Sequence, residues 1–151
     1  MQKLVSLLLA LVAGILLLPH SVSAQSSGNK WVIKAQRAFT EKEYNKAVEY
    51  YEWAARKGGD ATIYLGLGKT YMALGEYSNA AEYLKKATDA PSSPPESYAL
   101  MGRCLLSLDF PDSAAQYFQT YESVSGSQSK YKVADLEEVR QLPFDTATFK
   151  V

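Results

Sequence analysis

The stretch Tyr64–Thr88, "YLGLGKTYMALGEYSNAAEYLKKAT", supports two incompatible readings. Its "GLGKT", Gly66 to Thr70, matches the end of a phosphate-binding loop. In such a loop the backbone amides cradle phosphates, the Lys neutralises them and the hydroxyl reaches Mg²⁺. That loop needs a glycine at 63, where Ile63 stands, and a strand ahead of it, where no strand-like run is written. The other reading is one unit of a repeat. Trp31–Ala55, "WVIKAQRAFTEKEYNKAVEYYEWAA", and Tyr98–Glu122, "YALMGRCLLSLDFPDSAAQYFQTYE", align with it at spacings of 33 and 34 residues.

The aligned slots have a physical logic. Trp31, Tyr64 and Tyr98 open each unit with an aromatic. Ala35, Gly68 and Gly102 form a row of small residues, and Ala47, Ala80 and Ala114 form a second. Tyr51, Leu84 and Phe118 supply a large apolar side chain. Small residues at fixed slots let two amphipathic helices approach closely. A unit of this kind buries its faces only by stacking on the next, so about three are needed. Turn signals fall between the periodic segments at Gly58-Gly59, Gly75 and "DAPSSPPES". In the last, Ser93 and Glu96 have capping-box spacing, with Pro94 and Pro95 suited to first helical positions. The expected helices lie at 29–40, 44–57, 61–74, 77–89, 95–108 and 112–124. Pro111 takes the slot of Tyr44 and Tyr77, and Phe110 is the candidate to replace the missing aromatic.

The pattern of aromatic, Leu-Gly, Tyr, Ala, a large apolar residue and Ala resembles the tetratricopeptide repeat. It is clearest in Tyr64, Leu67-Gly68, Tyr71, Ala80, Leu84 and Ala87. The resemblance implies an all-α, right-handed helical-repeat solenoid of about three helix-turn-helix units plus a capping helix. The repeats fall at about 28–60, 61–94 and 95–125, within a domain of 29–125. A loop and capping helix follow at 126–142, the helix itself at 130–141. Pro143 ends it, and 143–151 is a tail. In this family the first helix of each unit lines a concave groove that holds an extended peptide. The groove residues expected on that alignment are Val32, Gln36, Phe39, Leu65, Lys69, Met72, Ala99, Arg103 and Leu106. Gln36, Lys69 and Arg103 form a polar row, and Val32, Leu65 and Ala99 a parallel apolar one. Family members that clamp a C-terminal carboxylate use Lys and Asn at slots that here hold Val32, Gln36, Gly66, Glu96 and Leu100, so that specificity is not expected. Gly66 costs helix propensity, up to about 1 kcal/mol, and is read as room for a ligand backbone.

The ends set the location. Met1-Gln2-Lys3, the apolar run Leu4–Leu18, Pro19 and "SVSAQ" read as a secretory signal peptide over 1–24, with cleavage expected between Ala24 and Gln25 and a short linker at 25–28. The alternative is an uncleaved membrane anchor, for which the run is short of the ~20 residues a spanning helix needs. The mature chain is then exported, periplasmic or secreted, with no stable membrane insertion. Without Lys3 it carries 15 basic and 16 acidic side chains, which argues against a nucleic-acid binder. The one histidine, His20, lies in the signal segment, so the mature chain has no His for triads, general bases or zinc. The single cysteine, Cys104, sits among apolar residues and reads as a buried thiol. No catalytic residue, metal ligand or cofactor is expected. The function expected is a non-enzymatic adaptor that binds a protein or peptide in the cell envelope and helps assemble or anchor an envelope or secretion complex. The alternatives are a self-associating structural protein, the N-terminal repeat module of a longer OmpA-like envelope protein, and, disfavoured, a phosphate- or nucleotide-binding enzyme.

Overall fold

The structure, a computed structural model, describes residues 22–126, with side chains from Lys30 onward. Six helices follow in order: α1 (Val22–Thr40), α2 (Tyr44–Gly58), α3 (Ala61–Ala73), α4 (Tyr77–Asp89), α5 (Pro95–Ser107) and α6 (Pro111–Ser125). Among the described residues there is no strand. Five helices sit within a residue or so of their expected bounds. α1 starts at Val22 instead of 29 and takes in 25–28, expected as a linker. No proline lies between Pro19 and Trp31 to stop a helix there. The segment 1–21, the capping helix at 130–141 and the tail at 143–151 lie outside the described residues.

The helices form three pairs, α1/α2, α3/α4 and α5/α6, and successive pairs join through α2 against α3 and α4 against α5. Each pair turns in the same way. Lys42, Gly75 and Asp109 occupy one repeat slot, and all three adopt the left-handed conformation, at φ 60°, 76° and 65°. The amide of the next residue bonds back five residues, as in Glu43 N–H to Ala38 O (2.8 Å), Glu76 to Tyr71 (2.9 Å) and Phe110 to Leu105 (2.9 Å), while the left-handed residue itself bonds back three, as in Gly75 N–H to Met72 O (3.0 Å). This double-bonded stop satisfies carbonyls that the first helix leaves orphaned. Gly58, at φ 148°, ends α2, and Asp60 caps α3 by accepting from the Ile63 amide at 2.9 Å.

Two local expectations change. Pro94 is the N-cap of α5 and Pro95 its first residue, with no side-chain cap. Ser93 and Glu96 therefore form no capping box, and Glu96 is used elsewhere. Phe110 is 56% exposed, so it does not replace the aromatic that Tyr44 and Tyr77 supply.

The small slots work as close-approach points. A Cβ on Gly68 would lie 2.5 Å from Leu84 Cγ, and one on Gly102 would lie 2.8 Å from Phe118 Cζ. Ala47, Ala80 and Ala114 have no exposed surface. The opening aromatics meet second helices, Trp31 and Tyr64 within their own pair and Tyr98 across the junction with the pair before. Trp31 contacts Tyr50 and stacks on Trp53, with centroids 5.8 and 5.9 Å apart. The Lys34 ammonium lies 4.7 Å from the Trp31 ring centre, and the Arg56 guanidinium 4.8 Å from that of Trp53. Tyr83 stacks on Tyr71 at 5.5 Å, and Tyr98 donates to the Thr88 carbonyl at 3.3 Å. The tyrosines of the second helices, Tyr50, Tyr51, Tyr83 and Tyr117, are thus packing residues, each buried or set against a core cluster.

Candidate functional site

"GLGKT" lies in the middle of α3. Its amides are spent in the helix, and the Thr70 hydroxyl donates to the Gly66 carbonyl at 2.7 Å, so neither can meet a phosphate. Gly66 is explained by packing, not by a ligand backbone. A Cβ there would overlap the ring of Tyr51, which reaches across from α2.

The nine expected groove residues divide by burial. Gln36 is exposed, and Val32, Phe39 and Lys69 are half-buried. Leu65 and Met72 are each 4% exposed and belong to one cluster with Leu84, Leu100, Met101 and Cys104. Ala99 (1%) and Leu106 (4%) are clustered with Ala114 and Phe118. Val32 packs against the cluster of Ala35, Tyr51, Ala54, Ile63 and Leu67. Of the apolar row, Leu65 and Ala99 are therefore core, and Val32 is only partly covered.

The polar row changes too. Lys69 Nζ lies 2.6 Å from Glu96 Oε1, with side chains only 14% and 19% exposed. The contact joins α3 to α5 and so ties the second repeat to the third. It is an ion pair whose acceptor atom, Glu96 Oε1, is shielded from solvent. Arg103 is 8% exposed. Of the three, Gln36 alone is exposed. The other ion pairs described join residues three or four apart, on or beside a single helix. Sequence reasoning missed the Lys69–Glu96 pair because the partners are 27 positions apart and in different repeats.

Two buried groups are chemically quiet. Burial pushes the Cys104 thiol up to about 12, and the thiol donates to the Tyr77 carbonyl at 3.1 Å. Desolvation likewise pushes the Tyr51 phenol up to about 12. Among the described residues no cluster of three His, Cys, Asp or Glu forms, and no helix is long and apolar enough to cross a membrane.

Comparison with known proteins agrees with this architecture. The family model of the tetratricopeptide repeat matches residues 34–96 and 66–129. No curated protein matches the chain. The tetratricopeptide domain of Arabidopsis OM64 superposes with a TM-score of 0.68 at 24% identity, covering 78% of this chain and 96% of that one. The first such domain of Spaghetti, bound to the HSP90 peptide SRMEEVD, gives 0.68 at 12% identity, covering 74% and 90%. The Yersinia enterocolitica type III secretion chaperone SycD, in complex with a peptide of the translocator YopD, gives 0.67 at 15%, covering 80% and 94%. At these identities the superpositions speak for the fold. The matched segments together span well over half of the sequence, and the chain belongs to the tetratricopeptide repeat family.

Proposed function

We propose that this chain is a non-enzymatic adaptor of the cell envelope that holds an extended segment of a partner protein along the side lined by α1, α3 and α5. The carrying observation is the stack of three helix pairs, a scaffold whose neighbours of the same fold include domains solved with bound peptides. The leader-like segment before Gln25 supports export to the periplasm or the exterior. The absence of histidine after His20 and the inert state of Cys104 support a binding role over a catalytic one.

The groove's recognition surface is narrower than the sequence suggested. On this reading the exposed Gln36 and the half-buried Val32 and Phe39 offer the surface at the first repeat, while Lys69 and Arg103 are largely buried. Reversing either cation would leave a buried charge uncompensated, at a cost of about 3–5 kcal/mol, so such variants report on folding and not on binding. The informative substitution is Gln36→Trp, an exposed plug. The tagged mature chain, crosslinked in the envelope and purified, is expected to bring down a specific protein that Gln36→Trp loses without a change in melting temperature. Equal capture by both forms removes the groove from the account.

A further inference from the structure

One stripe of each first helix faces the preceding repeat. In α3 it comprises Ile63, Gly66 and Thr70, and in α5 it comprises Ser97, Leu100 and Cys104. Ile63 is 4% exposed, and Thr70, Ser97, Leu100 and Cys104 are fully buried. Their cover is the second helix of the repeat before. Gly66 lies against the Tyr51 ring of α2, the Cys104 thiol donates to Tyr77 of α4, and Leu100 shares a cluster with Leu84 of α4.

The same slots in α1 are Lys30, Ile33 and Arg37. There Lys30 is exposed, Ile33 is 61% exposed, and the Arg37 side chain is 77% exposed with its Nε 3.0 Å from Glu41. End repeats of a solenoid ordinarily turn a polar face outward. Two of the three residues follow that rule, whereas Ile33 is a branched aliphatic like Leu100 in the covered stripe of α5.

We infer that this end of the stack is a second docking surface, separate from the groove, which takes an acidic amphipathic helix of a partner protein seated as α4 sits on α5. Three observations set the chemistry. The covered slots define the occupant's geometry, a helix lying along the stripe. Size defines its central residue: a branched aliphatic at the slot, Leu100, goes with Leu84, whereas Tyr51 requires glycine beneath it. Charge defines its flanks: Lys30 and Arg37 bracket Ile33, and residues 30–59 carry seven Lys and Arg against four Asp and Glu, a net of +3. A helix with a Leu between acidic residues complements this end. The same end of a second copy repels it.

The test uses a stapled helical peptide copying α4 (Tyr77–Asp89) with Lys85→Glu and Lys86→Glu, titrated into ¹⁵N-labelled mature protein. The unaltered α4 peptide, in which two lysines balance two carboxylates, is the control. The expected result is amide shifts centred on Lys30–Arg37, with affinity at least ten-fold above the control at low salt and falling as salt rises. Ile33→Asp, a change at an exposed site, should abolish the shifts and leave the melting temperature unchanged. Shifts elsewhere, equal affinity of the two peptides, or indifference to Ile33→Asp overturn the proposal. So does a wild-type dimer in sedimentation that Ile33→Asp dissolves, since the occupant is then a second copy.

Discussion

The junction between the first and second repeats and the junction between the second and third solve one packing problem in opposite ways. At the first, a large ring, Tyr51, lies over a residue with no side chain, Gly66. At the second, a smaller Leu84 shares its cluster with a larger Leu100. The slots are equivalent and both junctions are filled, yet the bulk has moved from one side of the interface to the other. Close packing fixes the summed volume across a junction and leaves its division free. A single slot therefore does not define a repeat; a pair of slots 15 or 16 positions apart does.

The sharpest way to break the comparison is to remove bulk from one side alone. Leu100→Gly should cost about 3–5 kcal/mol, combining a cavity with poor helix propensity. Adding Leu84→Tyr should restore part of that loss, as the first junction's arrangement is rebuilt in the second. The check is a double-mutant cycle by urea unfolding, in which a coupling of about 1 kcal/mol or more is expected. Strictly additive losses would show that the two slots do not share a volume. Next in size, Gly66→Ala should destabilise by about 1–3 kcal/mol through overlap with Tyr51, although on helix propensity alone alanine is the better residue. If Gly66→Ala raises the melting temperature, the close approach is wrong.

A smaller effect separates the junctions in polarity. Ile63 at the first corresponds to Ser97 at the second, whose hydroxyl is buried with no hydrogen-bond partner. Ser97→Ala removes an unsatisfied group and should leave stability unchanged or raise it by up to about 1 kcal/mol. A loss beyond that in thermal melts would mean that the hydroxyl has a partner. The last effect, at Tyr51 of the first junction, appears only in alkali. The Tyr51 phenol is held in its neutral form by burial, with its folded pKa raised to about 12 from an ordinary value near 10. Its contribution is fully present below pH 10 and is lost as pH climbs towards 12. Tyr51→Phe should lessen that alkaline loss, read by circular dichroism, while matching substitutions at Leu84 have no such signature.

Much of this fold is legible in the sequence because the repeat states its small slots three times. Ala47, Ala80 and Ala114 read as close contacts from their alignment alone, and so do Gly68 and Gly102. Gly66 was not legible. Its slot holds the branched aliphatics Ile33 and Leu100 in the other repeats, so the slot does not predict a glycine, and the explanation lies in Tyr51 on another helix. The groove was half legible. Helical spacing places Leu65, Met72, Ala99 and Leu106 on the first helices correctly, but spacing does not say how wide a face the neighbouring helices cover. Lys69 looked available because its anion, Glu96, lies in the next repeat, inside a segment whose spacing suggested a helix cap.

The central claim, that a partner lies against the first helices and not the second, is open to one direct measurement. A photoreactive amino acid placed at Gln36, exposed on α1, is compared with one at Lys85, exposed on α4. Irradiated in the envelope, the first should yield a discrete covalent adduct with one protein and the second none. An adduct at 85 with none at 36 would contradict the account.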